Sequence, residues 1–429
     1  VARPRVESAR GARVAGARGG RRQSTRRVGI ADLRVDVTRS ERTEGGLLIV
    51  LPAAADGSAQ VPASTPVAGL PLLRRIVLAA GRARDGKVLV GRGLGEAFPL
   101  LAGTSAEALT PRGPLPPGSP CRIVLLAANV VPLASWLRGL LDMPLEPDRL
   151  YVDGTSAAVI EVKDPQRVLA VASERGGLTE ALAALRVEFA TVDGAINEAG
   201  RFRLRAPNDT PAAEAWLRRG LMKPTEGFMS RHVERRISLG ITRRLAGTRI
   251  TPNAMTAVSL TIGLAGAPFF LSSAPAYQLA GALLFLVHSI VDGCDGELAR
   301  LKFLESRFGA SLDFWGDNLV HVAVFSCMAV GWSLESGSRW PLILGAVVVV
   351  STVAAATAAA RRATLAASGE STSSSLSHLA DAVANRDFIY LVILLAAVGK
   401  ASWFLLLAGV GTPIFLAVLL WSNQPRRVS

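Results

Sequence analysis

From Asn253 onward the sequence breaks into apolar runs long enough to cross a bilayer, and no single water-soluble core can absorb them. Roughly 20 apolar residues span the hydrocarbon layer. Six such runs fall near 254–272, 276–300, 306–334, 340–361, 386–400 and 402–421. An even number of helical spans returns the chain to the side on which it entered. The connections on that side carry Lys302, Arg307, Arg361, Arg362, Arg386, Arg426 and Arg427, against Arg339 and Lys400 on the other. Positive charge collects on the cytoplasmic side. Both termini, and all that precedes the first span, are therefore expected in the cytoplasm, with the protein multi-pass in the cell membrane.

The first half has another texture. Strand-like runs recur at 47–51, 87–90, 122–126 and 157–162, separated by helix-like segments such as 131–141, 179–185 and 212–221. Strands alternating with helices predict an α/β layer domain over 46–223. Residues 224–252 form a linker with an amphipathic helix. Val233, Ile237, Ile241 and Leu245 recur at four-residue spacing among Arg231, Arg235, Arg236, Arg243 and Arg244, the pattern of a helix lying in the headgroup plane. The membrane domain follows over 253–422, then a short tail, 423–429.

Charge sets the first 45 residues apart. The net charge is +14, and residues 1–45 hold 12 Arg against five acidic residues, half of that excess. A Gly/Ala/Arg/Ser-rich stretch of this kind buries too little apolar surface to fold, so a disordered basic tail is expected, with no nucleic acid as partner. It lacks the apolar core of a signal peptide. Three scattered cysteines, Cys121, Cys294 and Cys327, exclude a disulfide framework and a thiolate metal site.

Acidic residues inside membrane spans are costly and are functional candidates by default. Four aspartates occur within 26 residues: Asp292 and Asp295 at the end of the second span, Asp313 and Asp317 near the start of the third. Spacings of three and four place each pair on one helix face, and the turn 301–308 brings the pairs to one depth. Four such carboxylates need counter-charge to stay ionised, and two divalent cations supply it. All-oxygen ligands select Mg²⁺, Mn²⁺ or Ca²⁺, and a pair of ions roughly 3.5–4 Å apart suits displacement at phosphorus. Gly296, Ala299 and Gly309 leave room for a ligand against the helices, and Arg300 adds a fixed positive charge for phosphate. His288 and His321 lie one turn outside the acidic pairs and are expected to pack or support rather than ligate.

The run D-G-C-D-G-E-L-A-R-(8)-G-A-S-L-D-F-W-G-D, Asp292 to Asp317, resembles the signature of the CDP-alcohol phosphotransferase family at every fixed position. The resemblance covers about 225–421 and includes Thr251-Pro252-Asn253 at the entry to the first span. It implies transfer of a phospho-alcohol group from a CDP-alcohol to an alcohol or polyol-phosphate acceptor, with release of CMP. It implies two Mg²⁺ or Mn²⁺ ions on Asp292, Asp295, Asp313 and Asp317, with Asp317 a ligand or the general base. Asp292, Gly296, Ala299, Arg300 and Gly309 are implied in the CDP site. A membrane-lipid setting and a homodimer are expected. Arg361, Arg362 and Arg386, at the cytoplasmic ends of spans four and five, are expected to hold an acceptor phosphate.

Residues 47–223 resemble a nucleotidyltransferase domain that has lost its chemistry. Leu47 to Ala54 and the V-A-G-L-P-L-L run from Val67 match its first strand and the segment just after its phosphate loop. Residues 55–60 lack the loop's Arg and Lys, Asn129 stands where a metal Asp is expected, and Arg203 and Arg205 replace the leading acids of a D-V-D-T-P-E-D run. The domain order resembles the bifunctional inositol-phosphate cytidylyltransferase / di-myo-inositol-phosphate-phosphate synthase, which makes CDP-inositol an alternative donor. A divalent-cation transporter is the alternative of another class, but inverted repeats and broken midplane helices are not visible.

Overall fold

A computed structural model of the chain describes residues 46–54, 61–84, 86–112, 120–221, 229–367 and 388–422. The expected tails, the loop 55–60, residues 222–228 at the start of the linker, and Arg386 lie outside the described residues.

The α/β half is built on a seven-stranded mixed sheet. Its order is Ala190–Asp193, Arg149–Val152, Ala157–Val162, Cys121–Ala127, Gly46–Leu51, Lys87–Val90, Ala106–Ala108. Gly46–Leu51 lies inside the sheet, parallel to both neighbours. All six of its residues are buried, because a strand covered on both faces must be apolar throughout rather than alternating. Helices α1 (Leu72–Ala83), α2 (Ala134–Asp142), α3 (Pro165–Glu174), α4 (Leu178–Glu188) and α5 (Thr210–Arg219) complete this half.

The helix expected over 131–141 starts later. Val130–Pro132 is a strand, paired antiparallel with Arg201–Arg203. Two β-branched residues and a proline suit that edge, and the pairing with Arg201–Arg203 holds 130–132 extended, so the helix begins at Ala134. In the run that resembles the nucleotidyltransferase acids, Asp209 accepts backbone N–H groups of Arg205 and Ala206 at 2.7 and 3.0 Å. Those hydrogen bonds hold its carboxyl below the usual range. Asn129 donates from Nδ2 to the Leu204 carbonyl, 2.8 Å away. Both side chains here brace the backbone.

The second half is helical: α6 (Arg235–Leu245), entered through a π-helical turn Ser230–Glu234, then α7 (Pro252–Gly266), α8 (Pro275–Lys302), α9 (Arg307–Ser336), α10 (Trp340–Ala367), α11 (Phe388–Ala397) and α12 (Phe404–Ser422). Among the described residues five helical segments are long and apolar enough to cross a membrane, and α11 is a shorter apolar helix. Their boundaries follow local chemistry. Thr251 caps α7 through the Ala254 N–H, with Pro252 in the first turn. Gly337, at φ +63°, closes α9 in the left-handed region. Phe285, Val320, Val324, Met328, Val392 and Leu405 form the helical core, while Ile343, Val350, Leu394 and Leu407 are exposed. An apolar exterior of this kind belongs in lipid.

The amphipathic helix departs from a simple surface stripe. Val233 and Ile237 are exposed, whereas Ile241 and Leu245 of the same stripe are half-buried against Met255, Cys294 and Leu298, and the residues one position further on, Glu234, Ser238 and Thr242, form a buried polar row. The helix packs on α8.

Candidate active site

Two helices and one turn build the site. Phe303 ends α8 at φ +58°, and the Leu304 N–H reaches back 2.9 Å to the Ala299 carbonyl, closing the helix with a tight reversal. Ser306 then caps α9 by accepting the Gly309 N–H at 3.0 Å. The reversal takes only four residues between Lys302 and Arg307, so the acidic faces of α8 and α9 end side by side.

Asp292, Asp295 and Asp313 converge as the sequence predicts. Each offers a carboxylate oxygen, and these atoms lie within 4.8 Å of one another. Asp292 and Asp295 are buried and Asp313 is half-buried. Thr256, on α7, donates a hydrogen bond to Asp295 Oδ2. Asp313 Oδ1 is buried without a hydrogen-bond partner. Carboxylates this close repel unless a cation or proton intervenes, and their donor set is oxygen alone, the preference of a hard divalent cation. The three residues therefore fit a divalent metal ion.

Asp317 stands apart from that trio and faces α8. Its Oδ1 lies 3.5 Å from His288 Nε2. His288 Nδ1 is 2.9 Å from the Ser259 carbonyl, an acceptor only, so Nδ1 carries a proton and the ring orientation is fixed. The ring stacks on Phe285, and His321 meets the same phenyl edge-on. Both histidines thus support the site from the core side.

The expected small residues divide. At Gly296 the first atoms a Cβ would meet are those of the Arg300 guanidinium, from 3.3 Å, so Arg300 borders the space beside this glycine. At Gly309 a Cβ would come within 2.8 Å of Asn253 Oδ1 and 3.0 Å of Ser306 Oγ, so that room is already taken by the entry to α7 and the cap of α9. Ala299 is half-buried on α8. Arg361 is exposed and Arg362 half-buried on α10, which packs against α9 and α12.

Sequence reasoning missed Glu297, inside the motif but at one of its variable positions. It is 1% exposed. It accepts from Arg235 Nη1 (2.8 Å), Ser238 Oγ (2.6 Å) and Thr242 Oγ1 (2.7 Å), fastening α6 to α8. Thr256 was missed too; its one signal was a hydroxyl within an apolar span.

Residues 249–421 match the family model described as CDP-alcohol phosphatidyltransferase. The C-terminal half of the chain is a CDP-alcohol phosphatidyltransferase domain. The chain is similar to the bifunctional IPC transferase and DIPP synthase of Thermococcus kodakarensis, 35% identical over 153 residues, 35% of this chain and 33% of that protein. The same-named protein of Rubrobacter xylanophilus is 37% identical over 146 residues, 33% of this chain and 32% of the relative. CDP-diacylglycerol--serine O-phosphatidyltransferase of Mycobacterium tuberculosis is 33% identical over 99 residues, 21% of this chain and 34% of that protein. The chain spans about a third of the length of the curated relatives it matches. Among solved structures, Mycobacterium tuberculosis phosphatidylinositol phosphate synthase with CDP-DAG bound is 23% identical, covering 45% of this chain and 98% of that one at a TM-score of 0.33. In this CDP-alcohol phosphatidyltransferase domain the acidic motif flanks the α8–α9 reversal, and the buried polar residues of α6 brace it through Glu297.

Proposed function

We propose that the protein is a membrane CDP-alcohol phosphotransferase that moves a phospho-alcohol group from a CDP-alcohol to an alcohol acceptor and releases CMP. The observation that carries this reading is the meeting of Asp292, Asp295 and Asp313 from two helices in oxygen-only geometry. These residues, with Asp317, hold two Mg²⁺ or Mn²⁺ ions. Ions held there would supply positive charge to offset that of the CDP-alcohol pyrophosphate. Asp317, whose Oδ1 lies 3.5 Å from His288 Nε2, takes the proton of the acceptor hydroxyl. Gly296 and Ala299 leave room for the cytidine, and Arg300 offsets phosphate charge. Little covalent chemistry is asked of the protein, because phosphoryl transfer rests on positioning and electrostatics. Arg361, Arg362 and Arg386 bind a phosphate on the acceptor.

A hydrocarbon-bearing substrate is favoured by an apolar cavity of about 510 Å³ among α9, α10, α11 and α12. Phe314 and Asn318 line it, and each directly follows one of the α9 aspartates. The apolar lining suits an acyl chain of a CDP-diacylglycerol donor in phospholipid synthesis, and a CDP-inositol donor in di-myo-inositol-phosphate-phosphate synthesis leaves it without a role. The architecture proposed is six spans, counting α11, with both termini cytoplasmic. The protein is a homodimer whose α/β half is nucleotidyltransferase-like without nucleotidyl transfer.

The test supplies purified protein with labelled CDP-diacylglycerol or CDP-inositol, Mg²⁺ and a panel of polyol phosphates, and identifies the product by mass. CMP release with a phospho-alcohol product is expected. Cation flux across vesicles with no CMP from any donor would favour the transporter.

A further inference from the structure

The α/β half grips the turn that joins the two acidic helices. Arg75, on α1, is 2% exposed. Its Nη2 donates to the Leu301 carbonyl at 3.0 Å, the last turn of α8. Its Nε and Nη2 also donate to the Val67 carbonyl, at 3.1 and 3.0 Å, and Nη2 lies 3.3 Å from the Ala68 carbonyl. The guanidinium sits 5.6 Å from the ring centre of Phe303, the residue that reverses the chain in a left-handed conformation. That conformation is strained for a bulky side chain and persists only where its surroundings fix it. Leu301, 2% exposed, belongs to the hydrophobic core of the α/β half, and Phe303 packs on it. Nearby, Arg82 pairs with Glu305 at 2.5 Å, and the Gly69 turn presses so close to the Ala246 carbonyl that a Cβ would overlap it.

A buried arginine met mainly by carbonyls is an expensive arrangement. Burial lowers its pKa to about 10, which still leaves it charged at neutral pH. The positive charge lies at the C-terminal end of a 28-residue helix, where the helix dipole favours a cation. A guanidinium fork can satisfy several carbonyls at fixed angles at once, which an ammonium cannot.

We propose that Arg75 is a positioning residue for the acidic site: by holding Leu301 and Phe303 it fixes the α8–α9 reversal, and so the separation at which Asp313 meets Asp292 and Asp295. The α/β half, on this view, serves the membrane site as a brace. The inference rests on the metal-binding reading of those aspartates.

The experiment titrates full-length protein in detergent with Mn²⁺, following free Mn²⁺ by electron paramagnetic resonance, for wild type, Arg75→Met, Arg75→Lys and Arg74→Met. Arg74 also bonds backbone carbonyls, those of Leu100 and Ala102 at 2.8 and 2.9 Å, but away from the reversal. Arg75→Met is expected to weaken Mn²⁺ binding at least tenfold, Arg75→Lys less, and Arg74→Met less than twofold. Wild-type affinity in folded Arg75→Met overturns the inference alone. Wild type that takes up no Mn²⁺ overturns the metal reading and the inference together. Should Arg75→Met fail to fold, Arg82→Glu places like charges at the same turn. A two- to threefold loss there, restored in Arg82→Glu/Glu305→Arg, supports the brace, and no loss refutes it.

Discussion

Glu297→Ala tests how the amphipathic helix is held. The carboxylate is 1% exposed and pairs with Arg235, which is 17% exposed. Removing one member of a buried ion pair costs about 3–5 kcal/mol, because the other charge is stranded. Two features place this case at the lower end. Arg235 retains some solvent and a long contact to the Gly293 carbonyl, 3.5 Å away. The hydroxyls of Ser238 and Thr242, also orphaned, can turn to carbonyls of their own helix. About 3 kcal/mol remains, and at 1.36 kcal/mol per tenfold the open population of α6 rises on the order of 10²-fold. Arg235, Arg236, Arg243 and Arg244 lie in that helix, so trypsin reports its opening directly. In nanodiscs, cleavage within α6 should accelerate about 10²-fold in Glu297→Ala. Glu297→Gln, which keeps the volume and one acceptor, should raise it about tenfold. Cleavage of Glu297→Ala within threefold of wild type would refute the view that this carboxylate anchors α6.

Asp292→Asn, Asp295→Asn and Asp313→Asn should each lower CMP release more than about 10²-fold, the scale of losing an electrostatic element of a transition state. A strong chelator should stop the wild type, and persistent turnover in chelator contradicts the metal role. Arg361→Ala and Arg362→Ala should raise the KM for a phosphorylated acceptor about tenfold and leave that for the CDP-alcohol within twofold; equal effects on both would make these arginines membrane anchors only. Cys121, whose thiol burial pushes up to about 11, should be about one part in a thousand thiolate at pH 8. It should resist iodoacetamide until the protein is unfolded, as mass mapping of the alkylated peptide would show.

Features that depend on residues close along the chain were legible before any fold was known. Run length places the apolar helices, since crossing hydrocarbon is a requirement on consecutive residues. A spacing of three puts Asp292 with Asp295, and a short reversal brings Asp313 to them; that Asp317, four residues on, meets His288 instead of the trio was not legible. The buried strand 46–51 was legible because its apolar character is unbroken. Packing decided whatever needed a distant partner. Val131 and Pro132 read as the start of a helix until Arg201–Arg203 pairs with Val130–Pro132. Glu297 looks like a surface residue of the motif until α6 presents Arg235, Ser238 and Thr242, 55 to 62 positions earlier. Gly309 looks like room for a ligand until Asn253 fills it. Arg75 carries no sign in its own neighbourhood of a role 226 residues away. In each case a polar or small residue takes its meaning from the group it meets on burial, and periodicity along the chain holds no record of that group.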